Sequence, residues 1–455
     1  MEKNGSRSVP VTDVRHDPVV EAMSWTSARA LAAEAACPLE PVPVPLDEAL
    51  GSRLAVPLRA LVAVPGADVS AMDGYAVAGD GPWRVVGRVL AGGAVHAAEL
   101  RPGEAVEIAT GAPVPGGAEA VVPWERVTIA PASGGSASSG PVSGGPVSRM
   151  RAARVPAWGD DVWIEGAVEV GRHIRRRGED IAEGAVVLGA GTVVTPVALG
   201  LAAGLGHDVL LVRPRPRVTV LVTGDEVVQQ GLPGPGRVRD AIGPFLPGLV
   251  EWAGGRIAGT LRLPDGAHPL HDALALPSRP ATAPPGPASA SPGAAFAPAS
   301  AADVLVVCGA SAKGPADHLR KVLGDLGADV LIDGVAVRPG HPQLLARLPG
   351  GRLLVGLPGN PFAALAAALT LLAPILRELA GTPVRHEASA LAGEVRAHPH
   401  DTRLVPVRRS GRGAVPVGHD RPGSLWGAAL ADALAAVPPG WAGEQVELIE
   451  LPAGV

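Results

Sequence analysis

The sequence predicts a multidomain α/β protein: a doubly wound domain with a mostly parallel sheet, an N-terminal α/β domain, a β-rich domain and a small C-terminal β domain. At 455 residues the chain is too long for one ordinary hydrophobic core. In its second half, three apolar strands that each enter a glycine-containing turn alternate with helical segments, which is typical of parallel sheets. Elsewhere, short segments alternate apolar and polar residues between Gly and Pro turns, which indicates half-buried strands.

The composition favours a globular protein that acts on small molecules. A formal net charge of -5 without a concentrated basic face argues against nucleic acid as the main partner. Cys37 and Cys308 are far apart among apolar residues, so they form neither a disulfide framework nor a metal-ligand pattern. The polar residues 1–17 lack the apolar region of a signal peptide. We therefore expect a cytoplasmic protein that does not associate with membranes.

The first elements follow from local signals along the chain. A helical pattern begins at Ser24, an extended PVPVPL segment follows, and a second helix is expected from Asp47. Thr195 followed by Pro196 is typical of a helix start, because Thr caps the first turn and Pro has no N–H that needs a partner there.

The changes in pattern divide the chain into domains, and two Gly/Ser/Pro/Ala tracts interrupt them. Such tracts bury too little apolar surface to fold, so they are expected to be flexible. The predicted segments are a disordered N-terminus at 1–17, an N-terminal linker domain at 18–66 and 171–213, a β-rich domain at 67–170 with a flexible insertion at 130–149, an α/β domain at 214–381 with a surface loop at 277–301, and a C-terminal β domain at 382–455.

The turns after the three apolar strands are the first place to look for a ligand, because open parallel sheets bind ligands at the carboxyl ends of their strands. Glu226 follows the first strand, and Ser311 with Asp317 follows the second. The third strand ends in Pro358-Gly359-Asn360-Pro361 at the start of a helix. Asn360 is expected to cap this helix, so that its first N–H groups would face an anion.

Five acidic residues stand beside glycines or turns in segments that are otherwise poor in charge. Carboxylates are the hard oxygen ligands that Mg²⁺ needs, and arginine binds phosphates and other oxyanions with its planar fork. Taken singly, however, such an acid is more often a turn residue that bonds the nearby backbone, and an arginine run is more often a solvated face. The acids are Asp73, Asp180, Glu226, Asp240 and Asp317, and the arginines are Arg175-Arg176-Arg177 and Arg338.

Five phrases taken together, in order, are much more specific than any one of these residues. They read SAMDGYAV (70–77, with the only tyrosine), TGAPVPGGAEAVV (110–122), IRRRGEDI (174–181), TGDEV (223–227) and LPGNP (357–361). This combination resembles the molybdopterin molybdenumtransferase family, that of bacterial MoeA and the gephyrin E domain. The resemblance implies four domains in an elongated homodimer, with an α/β domain similar to molybdopterin adenylyltransferase. It also implies Mg²⁺-assisted insertion of molybdate into adenylated molybdopterin, with release of AMP.

The resemblance assigns roles to individual positions. It implies catalytic roles for Asp73, Asp180, Glu226, Asp240 and Asp317, with Asp73, Glu226, Asp240 and Asp317 as Mg²⁺ ligands. It implies substrate binding by Thr110, Arg177, Ser311, Arg338, Pro358, Gly359, Asn360 and Pro361. The site would lie between subunits, with the Asp73 segment of one chain over the α/β domain of the other. The implied protein partners are molybdopterin adenylyltransferase and molybdoenzyme acceptors.

Departures from the family pattern leave alternatives open. The loop from Cys308 to Gly314 lacks one glycine of the family pattern, Arg338 and His341 stand in place of two lysines, and Leu425 and Trp426 stand in a segment that is polar in the family. These changes favour a non-catalytic molybdopterin-binding scaffold paralogue. Retention of all five acids favours the enzyme. An adenylyltransferase is a third alternative, but it would leave the N-terminal motifs unexplained.

Overall fold

The computed structural model describes residues 22–93, 96–130, 163–276, 302–309, 318–383 and 386–452. The expected disordered N-terminus, the insertion beyond Ala130, the loop at 277–301, Ser311 and Asp317 lie outside these residues. The chain divides into two compact units. The first consists of Met1–Val42, Gly51–Ala55 and Leu211–Val455, and the second of Pro43–Leu50 and Val56–Leu210.

The helices begin where local capping signals stand. Ser24 accepts a hydrogen bond from Ser27 N, and Thr195 accepts one from Ala198 N at 3.2 Å, so both predicted helix starts are confirmed. The helix predicted from Asp47 is wrong, because Pro45 and Gly51 leave room only for the 3₁₀ turn Leu46–Glu48. The helices in the described part of the chain are α1 Trp25–Glu34, α2 Pro196–Gly204, α3 Leu246–Trp252, α4 Ala267–Leu274, α5 Leu319–Asp325, α6 Pro361–Leu379 and α7 Trp426–Leu430.

The strands are short and numerous. The first fourteen are β1 Met23–Ser24, β2 Val42–Pro45, β3 Arg53–Leu54, β4 Leu58–Arg59, β5 Val69–Ser70, β6 Gly74–Val77, β7 Trp83–Val89, β8 Glu104–Ile108, β9 Ala120–Pro123, β10 Thr128–Ala130, β11 Trp163–Glu165, β12 Ile174–Arg175, β13 Val186–Leu188 and β14 Val209–Arg213. The others are β15 Arg217–Val222, β16 Val227–Val228, β17 Val238–Arg239, β18 Arg256–Arg262, β19 Val304–Cys308, β20 Asp329–Asp333, β21 Val335–Arg338, β22 Leu344–Arg347, β23 Leu353–Leu357, β24 Glu387–Ser389, β25 Thr402–Ser410, β26 Gly413–Pro416, β27 Ala433–Val437 and β28 Val446–Glu450.

The first unit contains a six-stranded sheet in the order β18-β15-β19-β23-β22-β20. The first four strands are parallel, and β22 and β20 each run antiparallel to their neighbour. Both faces are covered: Val304 and Val306 of β19 pack in a cluster with α1, α3 and α6, whereas Leu305 and Val307 pack in a cluster with α4 and α5. The central strands β15, β19 and β23 are buried on both sides and are therefore almost entirely apolar, and the predicted doubly wound, mostly parallel sheet is confirmed.

A second sheet of the first unit has the order β1-β21-β25-β27-β28-β24, with β26 beside β25. Two of its strands come from outside the predicted C-terminal domain. Strand β21 pairs in parallel with β25, with Val337 opposite Thr402, and β1 pairs in parallel with β21. Helix α1 packs in the same unit, because Trp25, Ala28 and Ala32 belong to its core. Residues 22–42 therefore group with the α/β part, whereas the prediction joined 18–66 in one domain.

Helix α6 is long and apolar enough to cross a membrane by length and composition alone. However, 89% of its most apolar window is buried inside the structure. This is the environment of a core helix.

The main sheet of the second unit has the order β10-β11-β7-β8-β6-β9. Strands β10 and β11 are antiparallel neighbours on either side of the predicted insertion, as expected of a β-hairpin. Strand β6 lies between β8 and β9, so its backbone is paired on both edges. This central strand positions the residue that precedes it, Asp73.

Candidate functional site

Asp73, just before β6, and Thr110, just after β8, are brought together where these two strands of the second unit's sheet end. The Asp73 carboxylate oxygen Oδ1 accepts hydrogen bonds from Thr110 N at 2.7 Å and from Thr110 Oγ1 at 2.9 Å. These two bonds lower the pKa of Asp73 below its ordinary value, with the backbone N–H as the larger cause. The side chain is exposed. The site therefore offers a carboxylate that stays ionised and has a fixed orientation.

Close packing of three strands explains why a glycine follows Asp73. Gly74 lies opposite Ile108 on one side and Pro123 on the other. A Cβ atom at Gly74 would lie 2.9 Å from Pro123 Cα and closer still to the carbonyl oxygen of Val122. Only glycine lets the three strands approach this closely, and that approach sets Asp73 beside Thr110.

The arginine run after β12 is engaged by nearby acids. Arg175 pairs with Asp180, and Arg177 Nη2 donates to Glu183 at 2.6 Å. Asp68 accepts from Arg177 N at 2.8 Å and from Arg176 Nη1 at 2.6 Å, and these bonds lower the pKa of Asp68, with the Arg177 backbone bond as the larger cause. In this structure Asp180 and Arg177 are therefore part of an exposed, ion-paired face, in keeping with the ordinary interpretation of an arginine run as a solvated face. The sequence-based site prediction did not include Asp68, although Asp68 stands two residues before the SAMDGYAV motif.

In the first unit, the ends of the three central strands meet through glycines. Thr223 Oγ1, after β15, donates to Cys308 O at 3.0 Å, and Gly309 N donates to Leu357 O at 3.1 Å. A Cβ atom at Gly359 would lie 3.9 Å from Gly309 Cα. The turns after β15 and β23 therefore lie beside Gly309, the described part of the turn after β19, as the prediction that the three turns lie together requires.

Glu226 and Asp240 lie at opposite ends of a small ladder formed by β16 and β17. Val238 N donates to Glu226 O at 3.0 Å, and Asp240 N donates to Val228 O at 2.9 Å. Glu226 is exposed, and its carboxylate lies against Gly224. Asp240 Oδ1 accepts from the N–H groups of the second and third residues after it, at 3.1 and 2.9 Å, so it acts as a turn residue.

Cys308 lies near Asp240 at the end of β19. Burial raises the pKa of the Cys308 thiol to about 12, and the Asp240 charge adds to the shift. The thiol is therefore protonated and unreactive at neutral pH.

The start of α6 corrects one prediction. Asn360 occupies the cap position and Pro361 the first helical position, but the Asn360 side chain makes no capping hydrogen bond. Phe362 N donates to Pro422 O at 2.9 Å, and Ala363 N donates to the same oxygen at 3.4 Å. The amides predicted to face an anion are thus bonded to a carbonyl of the segment between β26 and α7. No local sequence signal could have identified Pro422, because it acts through its backbone.

Arg338, at the end of β21, is oriented by the C-terminal sheet. Its Nε donates to Asp401 Oδ2 at 2.8 Å, while the side chain remains 57% exposed. Gly340 packs on α6, since a Cβ atom there would lie 3.1 Å from Ala363 O. The turn after Arg338 therefore lies against the first turn of α6, which follows residues 358–360.

The predicted site residues divide between the two units. Asp73, Thr110, Arg177 and Asp180 lie in the second unit, and Glu226, Asp240, Arg338 and Pro358–Pro361 lie in the first. Within the described part of the chain, no group of three His, Cys, Asp or Glu side chains could hold a metal ion. Ser311 and Asp317 lie outside that part.

Three family models match successive parts of the chain. Residues 23–206 match the MoeA N-terminal region, domains I and II. Residues 290–378 match the "probable molybdopterin binding domain", and residues 389–451 match the MoeA C-terminal region, domain IV.

Full-length relatives are similar over most of their length. Molybdopterin molybdenumtransferase 2 of Mycobacterium tuberculosis is 34% identical over 358 residues, which cover 75% of this chain and 76% of the relative. Molybdopterin molybdenumtransferases of Synechococcus elongatus and Bacillus subtilis are 31% identical over 359 residues (76% of this chain, 77% of the relative) and 30% identical over 418 residues (88% and 86%).

The fold is also similar to a solved structure. The molybdopterin biosynthesis MoeA protein of Pyrococcus horikoshii superposes with a TM-score of 0.65 at 24% identity, covering 96% of this chain and 100% of the other. At that identity the likeness shows the fold alone. The relatives and the ordered family matches, however, show that the chain belongs to the MoeA family of molybdopterin molybdenumtransferases, which are transferases of molybdenum cofactor biosynthesis.

Proposed function

We propose that this protein inserts molybdate into adenylated molybdopterin with release of AMP, that it requires Mg²⁺, and that it works as a cytoplasmic homodimer. Family membership supports the reaction class. The observation that carries the proposal is the Asp73 carboxylate, held by both donors of Thr110. We also propose the four-domain division given above, and molybdopterin adenylyltransferase and molybdoenzyme acceptors as protein partners.

Asp73 is suited to hold a cation rather than to accept a proton. Its pKa is lowered by Thr110, so it is ionised at neutral pH and is a weak base. Both hydrogen bonds from Thr110 go to the same carboxylate oxygen, Asp73 Oδ1. A fixed negative charge of this kind stabilises a metal–phosphate complex without reorganising during the reaction.

The residues present are compatible with Mg²⁺. This ion prefers oxygen ligands such as carboxylates, and it keeps substrate phosphates and water in its shell. Glu226 and Asp240 are oxygen donors at the two ends of the β16–β17 ladder. We propose that they hold Mg²⁺ together with Asp73 and Asp317, and that Asp180 has a catalytic role. When bound, the ion would neutralise charge on the phosphoanhydride.

Oxyanion binding is proposed for Arg338 in particular. Its Nε bond to Asp401 fixes the plane of the guanidinium, and most of the side chain is exposed. A planar fork held in this way suits molybdate or a phosphate. Because Pro422 O accepts from the first amides of α6, those amides contribute less to anion binding than the sequence predicted. Thr110, Arg177, Ser311 and the turn at Pro358, Gly359, Asn360 and Pro361 complete the proposed substrate contacts.

The decisive experiment measures AMP release from adenylated molybdopterin with molybdate and Mg²⁺. The wild type should release AMP, and Asp73→Asn should lower the rate by about 100-fold, because one fixed charge near the phosphoanhydride is lost. Asp272→Asn on α4 is the matched control and should retain the wild-type rate. Absence of AMP release by the wild type would exclude the transferase.

A non-catalytic molybdopterin-binding scaffold is the alternative. The bonds from the first amides of α6 to Pro422 O favour it, because they occupy donors that could otherwise bind substrate. In that case the wild type would bind molybdopterin in calorimetry but release no AMP, and Asp73→Asn would leave binding unchanged.

A further inference from the structure

Two rings form a stack where the segment after β26 enters α7: His419 lies in the segment and Trp426 is the first residue of the helix. The ring centroids of His419 and Trp426 are 3.6 Å apart, and the ring planes meet at 19°. Trp426 is 59% exposed and His419 is exposed. The imidazole therefore covers one face of the indole, and the large exposed fraction leaves the rest of the ring open to solvent.

The backbone of this segment is shaped to hold the stack. His419 has a φ of 56°, in the left-handed region that non-glycine residues rarely adopt. A Cβ atom at Gly427 would lie 2.8 Å from His419 O, so only glycine allows α7 to start this close to the turn. Ser424 Oγ accepts from Trp426 N at 3.2 Å. Single exposed apolar residues are common on protein surfaces, but a stack on a strained and tightly packed turn is not.

The stack lies beside the proposed substrate site of the first unit. Pro422, between the two rings in sequence, accepts from Phe362 N at 2.9 Å. A Cβ atom at Gly423 would lie 3.8 Å from Asn360 Oδ1. Asp420 is paired with Arg403 of β25, which anchors the turn to the C-terminal sheet. The stack of His419 and Trp426 is thus fixed next to the carboxyl ends of the parallel strands, where doubly wound sheets bind ligands.

We propose that the open face of Trp426 stacks on a planar heteroaromatic ring of the substrate, either the pterin or the adenine of adenylated molybdopterin. This inference rests on the proposed function and specifies it. A tryptophan ring binds such systems through its whole face without reading their edge, and the His419 ring beneath holds the indole in a single orientation. Trp426 is thereby a substrate-positioning residue outside the acidic motifs.

The experiment measures dissociation constants by calorimetry, without turnover, for three probes: AMP, 6-hydroxymethylpterin and ribose 5-phosphate. Trp426→Ala should weaken binding of at least one ring compound by about 10-fold, because the stacking face is lost. Trp426→Phe should restore binding to within about 3-fold of the wild type, because phenylalanine keeps a flat face. His419→Asn, which tolerates the left-handed backbone, should weaken the same compound by about 3-fold.

The controls separate stacking from folding and from the overall function. Leu430→Ala removes another exposed side chain of α7 and should leave all three constants unchanged. A loss confined to AMP assigns the adenine to Trp426, and a loss confined to the pterin assigns the pterin. Equal loss for ribose 5-phosphate, unchanged binding of both rings by Trp426→Ala, or no binding of either ring by the wild type at millimolar concentration would overturn the inference. AMP release by the wild type is unaffected by these outcomes, so the proposed function is judged separately.

Discussion

The hydrogen-bond partners of Asp73 differ from those that its local sequence predicts. Asp73 followed by Gly74 is the sequence of an ordinary turn, yet the side-chain oxygen Oδ1 does not bond the backbone of that turn. The Oδ1 atom accepts from Thr110, which lies 37 positions later in the chain. Asp240, by contrast, bonds its own turn. Both aspartates have the sequence of a turn residue, but only Asp240 acts as one through its side chain.

The Thr110 hydroxyl should contribute, after the Thr110 backbone N–H, to the lowered pKa of Asp73. Because the folded-state pKa lies below the ordinary value of 3.8, the contribution of these bonds to stability is present above pH 4 and is lost as pH falls through the folded pKa. Thr110→Val should raise the pKa of Asp73 part of the way back, since the backbone N–H remains. Carbon-detected NMR titration of the Asp73 carboxyl measures this shift. An Asp73 pKa that is the same in both proteins would contradict the prediction.

Gly74 should be intolerant of any side chain. Gly74→Ala should lower the free energy of unfolding by about 3 kcal/mol, because the added methyl group meets the backbone of β9. Gly200→Ala is the control: it lies inside α2 with no atom near the added methyl group, and should stabilise by about 0.5 kcal/mol. Urea unfolding measures both. Equal effects of the two substitutions would show that close approach at Gly74 is not the cause.

The limits of prediction at the residue scale follow from where each partner lies in the chain. Caps such as Ser24 and Thr195 were predictable because donor and acceptor are three residues apart. The acceptor for the first amides of α6 is the Pro422 carbonyl, about 60 positions away, and a backbone oxygen leaves no mark in the sequence. The stack of His419 on Trp426 depends on a left-handed φ that favours glycine, so the histidine gave no warning of it.

At the scale of elements, α6 contains a wider stretch that Pro374 explains. Residues Ala368–Leu372 are π-helical, between two α-helical segments. Proline has no N–H, and its ring would clash with the carbonyl four residues earlier, so the helix widens just before it. Helix α1 satisfies the altered backbone, since Arg29 Nη1 donates to Leu369 O at 3.3 Å. The sequence pattern predicted this helix correctly. The π-helical stretch could also have been predicted, from the position of Pro374.

Thr370 should couple α1 to this stretch. Its hydroxyl accepts from Trp25 Nε1 at 3.1 Å and donates to Ala366 O at 2.7 Å, and Thr370 is fully buried. Thr370→Val should cost about 2 kcal/mol of unfolding free energy, because the indole N–H is left buried without a partner. In a double-mutant cycle with Trp25→Phe, the coupling should be about 1 kcal/mol. Strict additivity in urea unfolding would show that the bond contributes nothing.

At the scale of the whole molecule, composition and strand patterns predicted the fold class, but not which segments pack together. The apolar strands β15, β19 and β23 were identifiable because burial on both faces removes any alternation. The grouping of β1 and α1 with the α/β part was not, because a short strand pairs with whichever edge the tertiary structure offers. The predicted domain boundaries depend on such pairings and stay a prediction.

The proposed sharing of the site between subunits has a strict test. Asp73→Asn and Glu226→Gln chains should each lose most of their AMP release when expressed alone, by about 100-fold for Asp73→Asn. If each site takes Asp73 from one subunit and Glu226 from the other, co-expression restores one intact site per mixed dimer, or about a quarter of wild-type AMP release. If both residues serve the same site from one chain, every site carries a substitution. Mixed dimers without activity would therefore exclude the shared site.

The order of the chain within the first unit has a consequence for synthesis. Strand β1 and helix α1 are among the first described residues, and Arg29 of α1 lies 3.7 Å from Glu447 of the last strand. During translation, all of the second unit, Pro43–Leu50 and Val56–Leu210, leaves the ribosome before α6, against which α1 packs. The apolar face of α1 thus stays uncovered until α6 has been synthesised. Its protection in the cell therefore falls to transient structure or to chaperones.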